Sequence, residues 1–196
     1  MYPYNGKMGQ KIQTNADGVA VDRAFLAHLQ ISADKVTAAS VNGIHVAVTL
    51  TAATQAITTE ITQPSITRNI TITGNAVGIA GNVVIKGTNY NGDAITETIA
   101  LSGAATVSGA KAFKTVTEID LPIQTNVGTD TVAVGFGEVL GLPYKLSHNT
   151  ILAAYLDNAK ESTAPVVTVS ATALESNTID LNSALSGKVV DVYLIV

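Results

Sequence analysis

Residues 69–101 read NITITGNAVGIAGNVVIKGTNYNGDAITETIAL, and Gly74, Gly78 and Gly81 stand between two apolar runs in the spacing G-x-x-x-G-x-x-G. A phosphate-cradling loop needs a strand that feeds a glycine turn and then a helix, whose N-terminal amides and dipole meet the anion. Here the last glycine is followed by NVVIKGT, which is β-branched and strand-like, and no Lys-Ser/Thr pair follows it. The glycines therefore read as turns of a β protein. Upstream, RNITIT (68–73) alternates Ile70 and Ile72 with Thr71 and Thr73, the period of a half-buried strand. Downstream, NVVIKGT (82–88) and AITETIAL (94–101) flank TNYNGDA, in which Asn91-Gly92 supplies the positive φ angles of a tight hairpin.

The same texture continues in both directions. IHVAVTL (44–50), QAITTEIT (55–62), AFKTVTEIDL (112–121), DTVAVGF (130–136), ILAAYLD (151–157), VVTVSATAL (166–174) and VVDVYLIV (189–196) all read as short β segments. In the last run both alternating faces read as buried. Residues 1–18 read as an extended arm, and 32–43 as a linker. Between them, VAVDRAFLAHLQI places Val21, Phe25 and Leu29 at i, i+4 and i+8 behind Asp22, which suits a short helix or an extended segment. The expected fold is all-β, a β-sandwich or small β-barrel. An arm and linker occupy 1–42 and a β-rich domain 43–196, as one unit or as two lobes divided near 122–130 or 145–150.

Composition agrees with this reading. Of 196 residues, 46% are hydrophobic but only 13% charged and 5% aromatic, and there is no Trp. Thr, Val and Ile fill the gap, and they pack well on a pleated surface. A net charge of −4 without any cluster of Lys and Arg argues against nucleic acid, which needs grouped cations to displace counterions. The absence of cysteine excludes disulfides, thiolate metal sites and a Cys nucleophile. No run of about 18 apolar residues exists to span a membrane. The leader MYPYNGKMGQKIQTNADG lacks the apolar core of a signal peptide.

Candidate chemistry is sparse. His28, His45 and His148 have no metal-ligand spacing between them, and His45 reads as a strand histidine with a satisfied hydrogen bond. Ser147-His148 are neighbours in a turn and do not make a triad. Asn89, Asn91, Asp93 and Glu97 loosely echo a calcium loop, but the glycine falls at the wrong offset and a hairpin turn accounts for the asparagines. Glu97, Glu118 and Asp120 would need a defined separation to act as a glycosidase pair, and nothing in the sequence brings them together. No cofactor, metal or catalytic residue is expected.

Four segments carry a family resemblance: TQPSITRNITITGNA (62–76), VVIKGTNYNGDAITETIALSG (83–103), AKAFKTVTEIDLP (110–122) and VGFGEVLGLPYKL (134–146). From about Gly43 onward the chain resembles small virion proteins of tailed bacteriophages, of the capsid decoration or head-fibre type. The resemblance implies a protein made in the host cytoplasm. It would bind the major capsid protein on the outside of the head, without catalysis, as a homotrimer on local three-fold axes. A tail or head–tail connector component, or a host-surface adhesin, is the alternative. With six Tyr and no Trp, the chain looks poorly equipped with the aromatic platforms of a carbohydrate-binding surface. An enzyme acting on cell-wall polymer lacks a motif. The resemblance leaves out residues 1–42, so the expected anchors there rest on composition: Tyr2, Tyr4 and Met8 in the arm, with Phe25 and Leu29 behind them. Aromatic anchors serve capsid docking and packing within a trimer equally well.

Overall fold

In a computed structural model, residues 16–19, 21, 24–126 and 130–196 are described. The chain is all-β: among the described residues the one helical element is a single 3-10 turn at Leu174–Ser176. None of the described helices is long and apolar enough to cross a membrane.

The described strands form three antiparallel sheets. The first has β1 (Leu26–Ile31), β14 (Val190–Ile195), β10 (Ile151–Leu156) and β11 (Ala159–Lys160), in that order. The second runs β12 (Val166–Thr168), β13 (Thr178–Asp180), β9 (Thr131–Gly141), β4 (Arg68–Gly74), β7 (Thr106–Phe113), with β2 (Ser40–Thr49) also paired to β9. The third is β3 (Gln55–Ile57), β8 (Thr115–Leu121), β5 (Asn82–Thr88), β6 (Ala94–Ala100).

Two hydrophobic cores result. Ile70 and Ile72 of β4, with Val132 and Val134 of β9, pack against Val83, Ile85, Ile95, Ile99, Val116 and Ile119 of the third sheet. The second core joins Ile31, Val190, Val192 and Leu194 of the first sheet to Leu140, Leu142, Ile179 and Leu181. Burying such side chains stabilises by about 1.5–3 kcal/mol each. Strand β9 therefore serves both cores, with its first half in one and Leu140 in the other.

The seam between the cores is irregular. On the β9 side of β4, Arg68 pairs with Leu140 but Ile70 with Phe136, so Gly137–Val139 bulge opposite Asn69. On the other side Asn69 pairs with Ala112 and Thr71 with Ser108, so β7 bulges at Gly109–Lys111. Bulges leave backbone groups without ladder partners, and side chains supply them here. Asn69 Oδ1 accepts from the Val139 amide (3.2 Å) and its Nδ2 donates to Gly109 O (3.4 Å). Glu97 Oε1 accepts from the Ala110 (2.6 Å) and Lys111 (3.2 Å) amides. Arg68, fully buried, donates from Nε to Gly137 O and from Nη1 to Thr37 O, with its guanidinium 4.3 Å above the Phe136 ring. Burial pushes its pKa down to about 10, so it keeps its charge at neutral pH.

Several sequence expectations change. The 19–31 segment is no helix where it is regular: β1 is a strand, because Ala27, Leu29 and Ile31 alternate inward against β14. Part of the expected linker, from Ser40, belongs to β2. β4 is buried on both faces for most of its length, with Ile70 and Ile72 in the first core on one of them. AFKTVTEIDL divides at Lys114 between β7 and β8, QAITTEIT is strand only over Gln55–Ile57, and VVTVSATAL only over Val166–Thr168. The run 106–111, TVSGAK, which carries no β-rich signature, completes β7.

Of the three glycines in the decisive segment, Gly78 and Gly81 make turns, with φ of +99° and +113° and a strand after them, whereas Gly74 is the last residue of β4, paired with Val132. The 89–93 loop is longer than a two-residue hairpin. The Gly92 amide donates to Asn89 O, as in a type I turn, and Gly92 alone turns left-handed, at φ +90°.

Candidate functional site

The first sheet covers the second core with one face and shows the other to solvent. Along β14, Val190, Val192 and Leu194 are fully buried, so Asp191, Tyr193 and Ile195 point the opposite way. Register sets their neighbours: Leu26 beside Ile195, His28 beside Tyr193, and Gln30 beside Asp191. On the far side of β14, Ala153 pairs with Tyr193 and Tyr155 with Asp191. The outer face thus grades from an apolar end to an aromatic and polar end.

At the apolar end, Leu26 (65% exposed) faces Ile195 (36%) on the outer face, and Phe25 (47%) and Val196 (40%), which exchange backbone hydrogen bonds, follow the alternation of the inner face but remain exposed beyond the core. These two apolar pairs adjoin β1, which among the described residues pairs with β14 alone. Exposed apolar groups on an open sheet edge invite a partner.

At the polar end, Asp191 is largely buried. Its Oδ1 accepts from His28 Nε2 at 2.7 Å and Gln30 Nε2 at 2.9 Å. The His28 and Tyr193 rings stack at 4.4 Å between centroids, 1° from parallel, and Tyr155 meets Tyr193 edge-on at 5.9 Å. Beyond Tyr155, Asp157 and Asn158 form a two-residue turn to β11 with φ of 50° and 63°, the left-handed pair of a type I′ hairpin. Asp157 Oδ1 secures it by accepting from the Val189 amide at 2.9 Å. His28, Gln30, Tyr155, Asn158, Asp191 and Tyr193 together line an open cleft of about 310 Å³.

Of the expected anchors, Tyr2, Tyr4 and Met8 lie outside the described residues. Phe25 is exposed at the apolar end, whereas Leu29 turns inward against the second core. The polar end escaped the sequence reading, although its signal was present. LAHLQI puts His28 and Gln30 two residues apart, and VVDVYLIV does the same for Asp191 and Tyr193, the spacing of one strand face.

The other candidate groups disperse. His45 is a buried strand residue whose Nδ1 donates to Val46 O at 2.8 Å. His148 is exposed, with Nδ1 3.0 Å from Ser147 Oγ. Asn89 Oδ1 already accepts from the Asn91 and Asp93 amides, and its Nδ2 donates to Asp93 Oδ2. Among the described residues, no group of three or more His, Asp or Glu could hold a metal ion. Glu97 shares the inward face of β6 with Ile95 and Ile99, whereas Glu118 and Asp120 share Lys86 on the opposite face of that sheet, at 2.9 and 2.8 Å.

A second pair of acids, Glu138, displaced by the β9 bulge, and Asp180 of β13, lines a cleft of about 470 Å³. Burial first, and the Glu138 charge second, push the Asp180 carboxyl above its ordinary range. Glu138 accepts from the Ala39 amide at 3.2 Å, and no His, Lys or Arg is among the described residues lining that cleft. No protein-family model, curated protein or solved structure matches the chain.

Proposed function

We propose that the protein is a non-enzymatic structural component of a tailed-phage virion, which binds the outside of the capsid shell as a decoration protein and assembles as a homotrimer. The four resembling segments supply the class. The observation that carries a binding role is the exposure of Phe25, Leu26, Ile195 and Val196 beside β1, an edge strand among the described residues. Few Lys and Glu side chains would have to be desolvated when such a threonine-rich, sparsely charged surface meets a shell.

The test mixes purified protein with undecorated phage heads and measures saturation against the major capsid protein, with native mass spectrometry for the free oligomer. A trimer that saturates heads at a fixed ratio supports the reading. A paired Leu26→Asp and Ile195→Asp variant, folded by circular dichroism, should lose saturable binding. Wild-type protein that ignores heads and binds tails or host cells would replace the reading with a connector or adhesin role.

A further inference from the structure

We propose that the cleft between His28, Tyr155, Asn158 and Asp191 binds a neutral saccharide unit. The argument rests on the complementarity of its groups, and it does not depend on the shell-binding reading, which concerns the other end of the sheet. A sugar ring presents C–H surfaces and a rim of hydroxyls, each both donor and acceptor. The cleft offers aromatic surface from His28, Tyr155 and Tyr193 beside acceptor and donor groups in a small area. Asp191, when ionised, only accepts, whereas the amides of Gln30 and Asn158 both donate and accept, so neighbouring hydroxyls can be matched in both senses. Burying a hydroxyl without a partner is costly, which makes such pairing selective.

The geometry is also fixed before any ligand arrives. Two hydrogen bonds to Oδ1 hold the Asp191 carboxylate, leaving Oδ2 uncommitted by either of them. His28 is held by that bond and by its stack on Tyr193, and the backbone of Asn158 by the type I′ turn. Among the described residues, no strand lies beside β1 on the side of His28 away from Tyr193. At about 310 Å³ the cleft lies at the small end of the range for small-molecule sites, which suits one sugar residue rather than a long chain. Because Asp191 is already hydrogen-bonded to His28 and Gln30, its charge is partly spent, which favours a neutral ligand over a bare cation.

The experiment is an NMR titration of full-length ¹⁵N-labelled protein with three probes: methyl glucoside, methyl mannoside and N-acetylglucosamine. Tetramethylammonium chloride serves as the cationic competitor. At least one sugar, at millimolar concentration, should shift the amides of His28, Asn158, Asp191 and Tyr193. Asp191→Asn preserves the shape and the acceptor oxygen, and Tyr155→Ala removes ring surface; each should weaken binding about tenfold or more. Leu26→Asp, at the apolar end, should leave it unchanged. Absence of shifts with all three sugars overturns the proposal. So does a stronger response of the same amides to tetramethylammonium, which would mark a cation site.

Discussion

Glu97 shows how a single carboxylate serves two opposing demands. Its Oε1 takes the Ala110 and Lys111 amides that the β7 bulge releases from the ladder. Those bonds favour the ionised form, but burial outweighs them and raises the carboxyl above its ordinary 4.5. A carboxyl with a raised folded-state pKa binds its proton more tightly in the native than in the unfolded chain. Its contribution to stability is therefore complete below pH 4.5 and declines as pH rises through the folded-state value. Glu97→Gln should flatten that decline, read as the urea midpoint across an acid pH series. Glu97→Ala should cost about 1–3 kcal/mol at neutral pH by leaving the two amides without acceptors. An unchanged pH profile in the glutamine variant would remove Glu97 as its source. Asn177, fully buried, works similarly without charge: its Oδ1 accepts from the Leu146 and Ser170 amides, while its Nδ2 donates to Ser170 O and Ala173 O.

At the scale of elements, β4 and its two bulged neighbours join the molecule. β4 passes from the first core at Ile70 and Ile72 to the seam at Arg68 and Asn69. The bulges bend β9 and β7 away from a flat sheet, and re-aim Glu138 towards its cleft. Asn69 bonds to both bulged strands at once. Asn69→Ala should therefore lower stability by about 1–3 kcal/mol, because Val139 N–H and Gly109 O lose their partner together. Hydrogen exchange should quicken at the Val139 amide more than at Val134, which keeps its place in the first core. Unaltered stability, with Val139 still protected, would show that the bulge is held by the strands alone.

For the molecule as a whole, the division into two cores predicts unequal local stability. β14 is an inner strand of the first sheet, and its Val190, Val192 and Leu194 belong to the second core only. A chain ending at Lys188 should lose exchange protection throughout β1 and β10, whose pairing runs through β14, while β5 and β8 stay protected. Uniform loss across both cores would mean that they unfold as one cooperative unit. The outer face of the same sheet holds the apolar end offered to a shell and the polar cleft offered to a sugar. Deleting β14 would remove both, so the point substitutions described above are needed to separate them.

The β class was legible in the sequence because β-branched residues and turn glycines act locally. Asn-Gly at 91–92 and the NVVIKGT run after Gly81 say strand and turn whatever lies elsewhere in the chain. β1 was harder: Val21, Phe25 and Leu29 fit a helical stripe, and the alternation of Leu26, His28 and Gln30 gained meaning only beside β14. Pairing between residues 26–31 and 190–195 is a long-range choice, made by burial of Leu29, Ile31, Val192 and Leu194 on one side. The cleft belongs wholly to that choice. His28 and Asp191 lie 163 residues apart, and only the antiparallel register brings them within hydrogen-bond distance. Local propensity thus determined the class of the fold. The register of distant strands, set by which apolar faces could be buried together, decided where polar and aromatic side chains converge.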